Sequence, residues 1–189
     1  MKLAAIVLAA GSATRFGSDK LSAELHGKAL VRHAIEAACA APVEQVIVVR
    51  RPDLEIGDWP VPPSVTTIDI ESEALSASLK AGIAAAAEMD GAFIFLGDMP
   101  LVPHDVAGRL AAVLDGHYAA LPRHDGRPGH PVLLSAKAFP DIVNLQGDEG
   151  AGKLLRKRQD IIFDECPNSL IHLDVDCAED LEKARKLDG

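Results

Sequence analysis

The stretch from Leu3 to Lys20 limits this chain's fold more than any other. Leu3–Ala10 is an unbroken apolar run, which suits a strand buried on both faces. It leads straight into Gly11-Ser12-Ala13-Thr14-Arg15-Phe16-Gly17-Ser18-Asp19-Lys20. Gly11 and Gly17 accept positive φ without steric cost, so backbone N–H groups there can turn toward an anion. Arg15 and Lys20 add full positive charges. Two familiar phosphate loops fail on spacing. The P-loop needs four residues between its glycines and a lysine directly after the second; here five intervene and the lysine comes three later. The dinucleotide fingerprint fails because position 13 is alanine. An ordinary strand-to-helix connection with a solvated Arg and Lys is the competing reading.

Further along, strand and helix patterns alternate. Apolar or β-branched runs predict strands at 2–10, 45–50, 65–70, 92–96, 118–122, 131–135, 161–165 and 171–175. Alanine-rich or amphipathic stretches predict helices at 29–41, 75–89, 103–114 (with Pro103 in the first turn), 136–144, 151–157 and 178–187. Residues 52–63 read as a surface loop and 123–129 as a mobile polar one. This order implies an α/β, Rossmann-like, mostly parallel sheet with helices on both faces. Ligands of such sheets bind at the carboxyl ends of the strands, which brings loops 11–20, 71–79 and 97–100 to one crevice.

A chain of 189 residues suits a single domain, 1–189. Its net charge of −9 argues against broad contact with nucleic acid or an anionic membrane, so cations for a phosphorylated ligand must be placed locally. The three cysteines form no CxxC pair, and their odd number fits a reducing, cytoplasmic setting. The apolar run at the start is too short, and too weakly charged in front, for a signal peptide.

Three further places carry chemistry. Asp98, in Gly97-Asp98-Met99-Pro100 directly after a predicted strand, can ligate a divalent cation; a tight turn is the plainer alternative. Asp174 and Asp176 lie two apart and would share a face of a strand. Asp176 could then complete a metal site with Asp98, or simply cap the last helix. Ser76 and Ser78 open a helix, where hydroxyls either touch a base or phosphate or serve as N-caps. His130 and the other histidines show no metal-ligand spacing, and a G-x-S-x-G elbow is absent.

Leu8–Lys20 resembles the signature L-A-[AG]-G-x-x-x-R-[MF]-G-x-x-K of the MobA/MocA-like nucleotidyltransferases. Gly97–Pro100 resembles their G-D-x-P. Leu173–Leu181 resembles D-[IV]-[DN]-T-P-E-D-[LY], with Cys177-Ala178 in place of Thr-Pro. Leu75–Leu79 resembles [LM]-S-x-S-[LI] without its preceding glycine. Gly129–Val132 and Gly147–Ala151 resemble the G-x-P-V and G-D-x-G-A segments. The resemblance implies transfer of a nucleoside monophosphate from an NTP to a phosphate-bearing acceptor. It assigns Arg15, Lys20 and Asp98 to catalysis and Leu8, Ala9, Ala10, Gly11, Ser12, Ser76 and Ser78, with those three, to the nucleotide. Asp98 and Asp176 would hold Mg²⁺ (or Mn²⁺), and His130 and Asp148 would lie on the acceptor side. Ala9-Ala10-Gly11 favours CTP and the MocA-type branch, hence a molybdopterin-type acceptor and an apo-molybdoenzyme or its chaperone as partner. A GTP- or sugar-phosphate-using relative and a non-catalytic binding protein remain the alternatives.

Overall fold

β1 (Leu3–Ala9) pairs in parallel with β4 (Gln45–Arg50) on one side and β6 (Gly91–Leu96) on the other. Around these three the computed structural model, which describes residues 1–11, 19–72 and 74–187, builds an eight-stranded sheet. Its order is β10 (Ile161–Glu165), β7 (Ala119–His124), β9 (Val132–Ser135), β6, β1, β4 and β5 (Ser64–Asp69), with β8 (Arg127–Pro128) attached to β7. β9 runs antiparallel between β6 and β7; the main sheet is otherwise parallel apart from the short β7–β8 hairpin.

Alternation along β1 sorts its side chains between two cores. Leu3, Ala5, Val7 and Ala9 face α1 (Leu30–Cys39) and α3 (Asp105–Val113). Ala4, Ile6 and Leu8 face α2 (Leu75–Ala85), α4 (Phe139–Ile142) and α5 (Ala151–Leu155). Because both faces are covered, β1 needs no polar side, which is why its sequence is apolar throughout. α2 lies close over β1 at Gly82, where a Cβ would fall 2.5 Å from Ile6 Cγ2. A third, smaller cluster packs α6 (Ala178–Arg185) against Leu25, Leu30 and Leu101. Among the described residues no helix is long and apolar enough to cross a membrane.

Several expectations change. Residues 171–175 form no strand: Asn168 accepts a hydrogen bond from Leu170 N–H at 2.9 Å and turns the chain into a 3-10 helix, Ser169–His172. The extended piece after it reaches the end of β6 through one backbone hydrogen bond, Val175 N–H to Asp98 O, rather than through a ladder. Residues 123–129 form the β7–β8 hairpin rather than an irregular loop, with Asp125 and Gly126 at φ 49° and 76°. This is the Asp-Gly turn that favours tight hairpins. Pro103 precedes α3, which starts at Asp105. α2 stops at Ala85, and 136–144 is a 3-10 turn followed by the short α4. His26-Gly27 closes a small hairpin of β2 (Glu24–Leu25) and β3 (Lys28–Ala29) that the pattern did not reveal.

Tyr118, the only tyrosine in the chain, ties α4 to the sheet. Its hydroxyl donates to Asp141 Oδ2 at 2.8 Å and the Arg158 guanidinium stacks over its ring at 3.6 Å. Burial first, then the Asp141 carboxylate, push its pKa from 10.0 to about 12, against the pull of Arg158. The folded protein thus keeps a proton that the unfolded chain releases. The stability that this group contributes is intact below pH 10.0 and falls as pH rises toward about 12. Phenolate absorbance near 295 nm is expected to titrate well above 10 in the folded protein and near 10 in guanidinium.

Candidate functional site

The carboxyl ends of β1 and β6 lie side by side, as their parallel pairing dictates. Gly97 continues β6 and donates its N–H to Leu8 O at 2.9 Å. A Cβ there would sit 3.1 Å from Leu8 O and 3.3 Å from Ala9 Cβ, so glycine lets the two strand ends stay close. Asp98 follows. Its backbone O accepts Val175 N–H at 2.9 Å, and fully buried Val175 anchors the segment that carries Asp176.

Lys20 joins these pieces. It opens a 3-10 turn, Lys20–Ser22, and is 9% exposed. Its Nζ donates to Asp98 Oδ2 and to Asp176 Oδ1, both at 2.9 Å. Burial alone would lower the lysine pKa; the charges and hydrogen bonds of Asp98 and Asp176 outweigh it and hold the ammonium above its ordinary value. Asp176 is therefore not the helix cap. The N-cap of α6 is Cys177, and Asp180 in the first turn accepts from Asp176 N–H and Cys177 Sγ. Asp174, its neighbour two back, is exposed and forms no hydrogen bond or ion pair with Lys20.

Two cavities adjoin this point. The smaller, about 290 Å³, is lined by Ala10, Gly11, Lys20, Ser78 and Asp98. The larger, about 940 Å³, lies under α2 and α5 and includes His130. Leu8, Leu75 and Leu96 line both, so the cavities share a wall. Ser76 is buried beside the smaller cavity without lining it, and its N–H donates to Gly147 O at 3.0 Å. Neither serine caps α2, whose N-cap is Ala74. Ala9 packs into the core. Asp148 is exposed and lines neither cavity; Gly150, Ala151 and Gly152 of the same segment line the larger one. Among the described residues His130 Nδ1 is buried without a hydrogen-bond partner, and burial holds the imidazole below its ordinary pKa against Ile94, Asp98 and Asp174. Ser12 and Arg15 lie outside the described residues.

Sequence reasoning missed Arg51. Just after β4, its guanidinium donates to Gly11 O at 3.0 Å and to Asp19 Oδ1 at 2.8 Å, holding both ends of the loop that follows β1. The Asp19 hydrogen bond is the main cause of its raised pKa. Burial works against Asp19 ionisation, yet hydrogen bonds from Ser22 and Arg51 keep its carboxyl below the ordinary value. The only available signal was a polar residue at a strand's carboxyl end, which is common to every α/β loop.

The fit to a divalent metal follows from the same geometry. Two carboxylate oxygens already converge on one positive centre. Among the described residues no group of three or more His, Cys, Asp or Glu side chains could hold a metal. One or two carboxylates completed by phosphate oxygens and water is the usual environment of Mg²⁺.

The MobA-like NTP transferase domain matches residues 5–161. The purine catabolism protein PucB of Bacillus subtilis is 28% identical over 169 residues, 83% of this chain and 82% of that one. The molybdenum cofactor cytidylyltransferase of Escherichia coli is 29% identical over 122 residues, 61% of this chain and 58% of that one. A molybdenum cofactor guanylyltransferase of Shewanella is 28% identical over 141 residues, 72% and 70% of the two chains. Among solved structures, the Rv0371c homolog of Mycobacterium sp. strain JC1 superposes with a TM-score of 0.84 at 25% identity, covering 97% of this chain and 95% of that one. Rv0371c of Mycobacterium tuberculosis, in complex with manganese, gives 0.82 at 21% identity over 98% and 99%.

Arg51→Ala removes both anchors of the loop stem. It is expected to cost about 1 kcal/mol in denaturant unfolding. Amide exchange should accelerate in peptides covering Leu8–Gly11 and Asp19–Leu25; unchanged exchange there would dismiss the clamp.

Proposed function

Because this chain belongs to the MobA-like NTP transferase family, we propose that it transfers CMP from CTP to the phosphate of a molybdopterin-type cofactor. One observation carries the reading: a loop lysine and two carboxylates from distant parts of the chain meet at one point, beside a small cavity that adjoins a larger one. A small cavity for nucleotide and a large one for acceptor, sharing a wall, is the arrangement that in-line group transfer requires.

An oxygen of the acceptor's phosphate attacks the α-phosphorus of CTP. The bond from that phosphorus to the bridging oxygen breaks, and pyrophosphate leaves with the electron pair. A phosphate monoester is largely dianionic at neutral pH, since its second pKa is about 6, so no general base is needed. The obstacle is bringing two polyanions together, and the protein's contribution is position and charge. Ala10 and Gly11, in the wall of the small cavity, offer their backbone to the nucleotide. Lys20 and, on its motif position, Arg15 supply positive charge to the triphosphate and the departing pyrophosphate. Ser12, from the same motif, and Ser78, in the cavity wall, add polar contacts. Asp98 and Asp176 are the residues that would hold Mg²⁺ or Mn²⁺, which when bound neutralises phosphate charge at the reacting centre.

The choice of CTP rests on Ala9-Ala10-Gly11. Ala10 is 2% exposed, and its methyl occupies space that a second glycine would leave to a larger base. By the same resemblance the product passes to an apo-molybdoenzyme or its chaperone.

Pyrophosphate release with Mg²⁺ and molybdenum-loaded molybdopterin tests the reading, using CTP, GTP, ATP and UTP in turn. Acceptor-dependent release with CTP alone is expected. Release with GTP instead would overturn the base assignment, and none with any nucleotide would overturn this acceptor. Asp98→Ala, folded by circular dichroism, is expected to lower turnover by roughly 10²–10³; near-normal turnover would remove Asp98 from catalysis.

A further inference from the structure

Lys20 stands in the place that a divalent cation would need. Asp98 and Asp176, the residues that the transfer reading assigns to a metal, both aim an oxygen at its Nζ from 2.9 Å. Among the described residues neither carboxylate has another ion pair. A cation held by the same two oxygens therefore has to take the place of the ammonium.

The ammonium has few places to go. The Lys20 side chain is 11% exposed, so water offers it little in exchange for two carboxylates. The carboxylate next to it in sequence, Asp19, already accepts from Arg51 and Ser22. A charge left without a partner away from water is costly. Displacing Lys20 by a metal alone thus opposes metal binding. Removing Lys20 without a metal is no better, because two adjacent carboxylates then face each other unpaired.

A polyanion in the small cavity changes the balance. Lys20 lines that cavity with Ala10, Gly11 and Ser78. An ammonium has three N–H donors, and among the described residues only two of them have acceptors. A phosphate oxygen entering there supplies an acceptor for the third, and the flexible lysine stem lets the charge follow it. We propose that Lys20 is a built-in stand-in for the metal: it occupies Asp98 and Asp176 until a triphosphate draws it away, so that the divalent cation is loaded together with the nucleotide rather than before it. By linkage, each then raises the affinity of the other by the same factor. The proposal rests on the transferase reading and adds to it the order in which the site is filled. A lysine that only neutralised charge would stay in place when a metal binds.

The test follows Mn²⁺ binding to the full chain by electron paramagnetic resonance, without nucleotide, and acetylation of Lys20 by mass spectrometry. Mn²⁺ alone is expected to bind the unaltered chain weakly, and Lys20→Met at least about tenfold more tightly. In the unaltered chain Lys20 should acetylate slowly, several-fold faster under saturating Mn²⁺ alone, and slowly again with Mn²⁺ and CTP. The labelling needs no variant, so it decides the matter even where Lys20→Met fails to fold. Mn²⁺ bound with Lys20 labelling unchanged, or equal Mn²⁺ affinity in a folded Lys20→Met, would overturn the proposal. CTP binding with Mn²⁺, measured by calorimetry on the same samples, keeps this separate from the transferase reading. CTP binding with Lys20 unmoved by Mn²⁺ sinks the exchange alone. Displacement of Lys20 by Mn²⁺ without CTP binding sinks the transferase reading and keeps the exchange of lysine for metal.

Discussion

The Lys20 ammonium between Asp98 and Asp176 is the interaction on which the rest of the site depends. The three residues are 78 and 156 positions apart in sequence, and each arrives on a different support. Lys20 comes at the end of the loop after β1, Asp98 from the end of β6, and Asp176 from an extended segment held by Val175. Two carboxylates brought this close would repel each other in the half-buried crevice without a cation between them. The lysine supplies that cation and leaves the trio with one net negative charge. A site so arranged has an incentive to take in further positive charge together with a polyanionic substrate, as nucleotidyl transfer demands.

The sheet makes this convergence possible. Parallel pairing of β1 with both β4 and β6 puts three carboxyl ends on one edge, so Gly11, Arg51 and Asp98 become neighbours. Gly97 permits the close contact of β6 with β1, and Arg51 returns from β4 to hold the loop stem at Gly11 and Asp19. The antiparallel insertion of β9 has another effect. It separates β6 from β7 and carries Val132 and the adjoining His130 into the wall of the large cavity, whose far side is β10 and α5. One sheet edge thus offers a small cavity that holds Lys20, Ser78 and Asp98 and a larger, mainly apolar one in contact with it.

The two cavities differ in their walls. The smaller sets Lys20, Ser78 and Asp98 among leucines and alanine. The larger is mainly hydrocarbon, with Arg127, His130, Arg156, Arg158 and Gln159 as its polar side chains and no Asp or Glu.

The sequence by itself determined the α/β class, the central strand and the grouping of three loops at one crevice, because apolar runs and helical periodicity are local consequences of burial. It also marked Lys20, Asp98 and Asp176, each in a motif whose residue types follow from its chemistry. It did not reveal that 169–172 turns into a 3-10 helix. A run such as Leu170-Ile171 is compatible with either state, and the choice fell to an Asn168 hydrogen bond and the lack of a neighbouring strand. It could not separate Asp174 from Asp176, since the assumed strand placed both on one face; the Val175 anchor turns only Asp176 toward Lys20. Arg51 as a clamp, the exposed place of Asp148 and the large cavity lined without Asp or Glu were decided by tertiary structure alone. Each depends on which distant segments become neighbours, and that information lies in strand order and packing rather than in any local pattern.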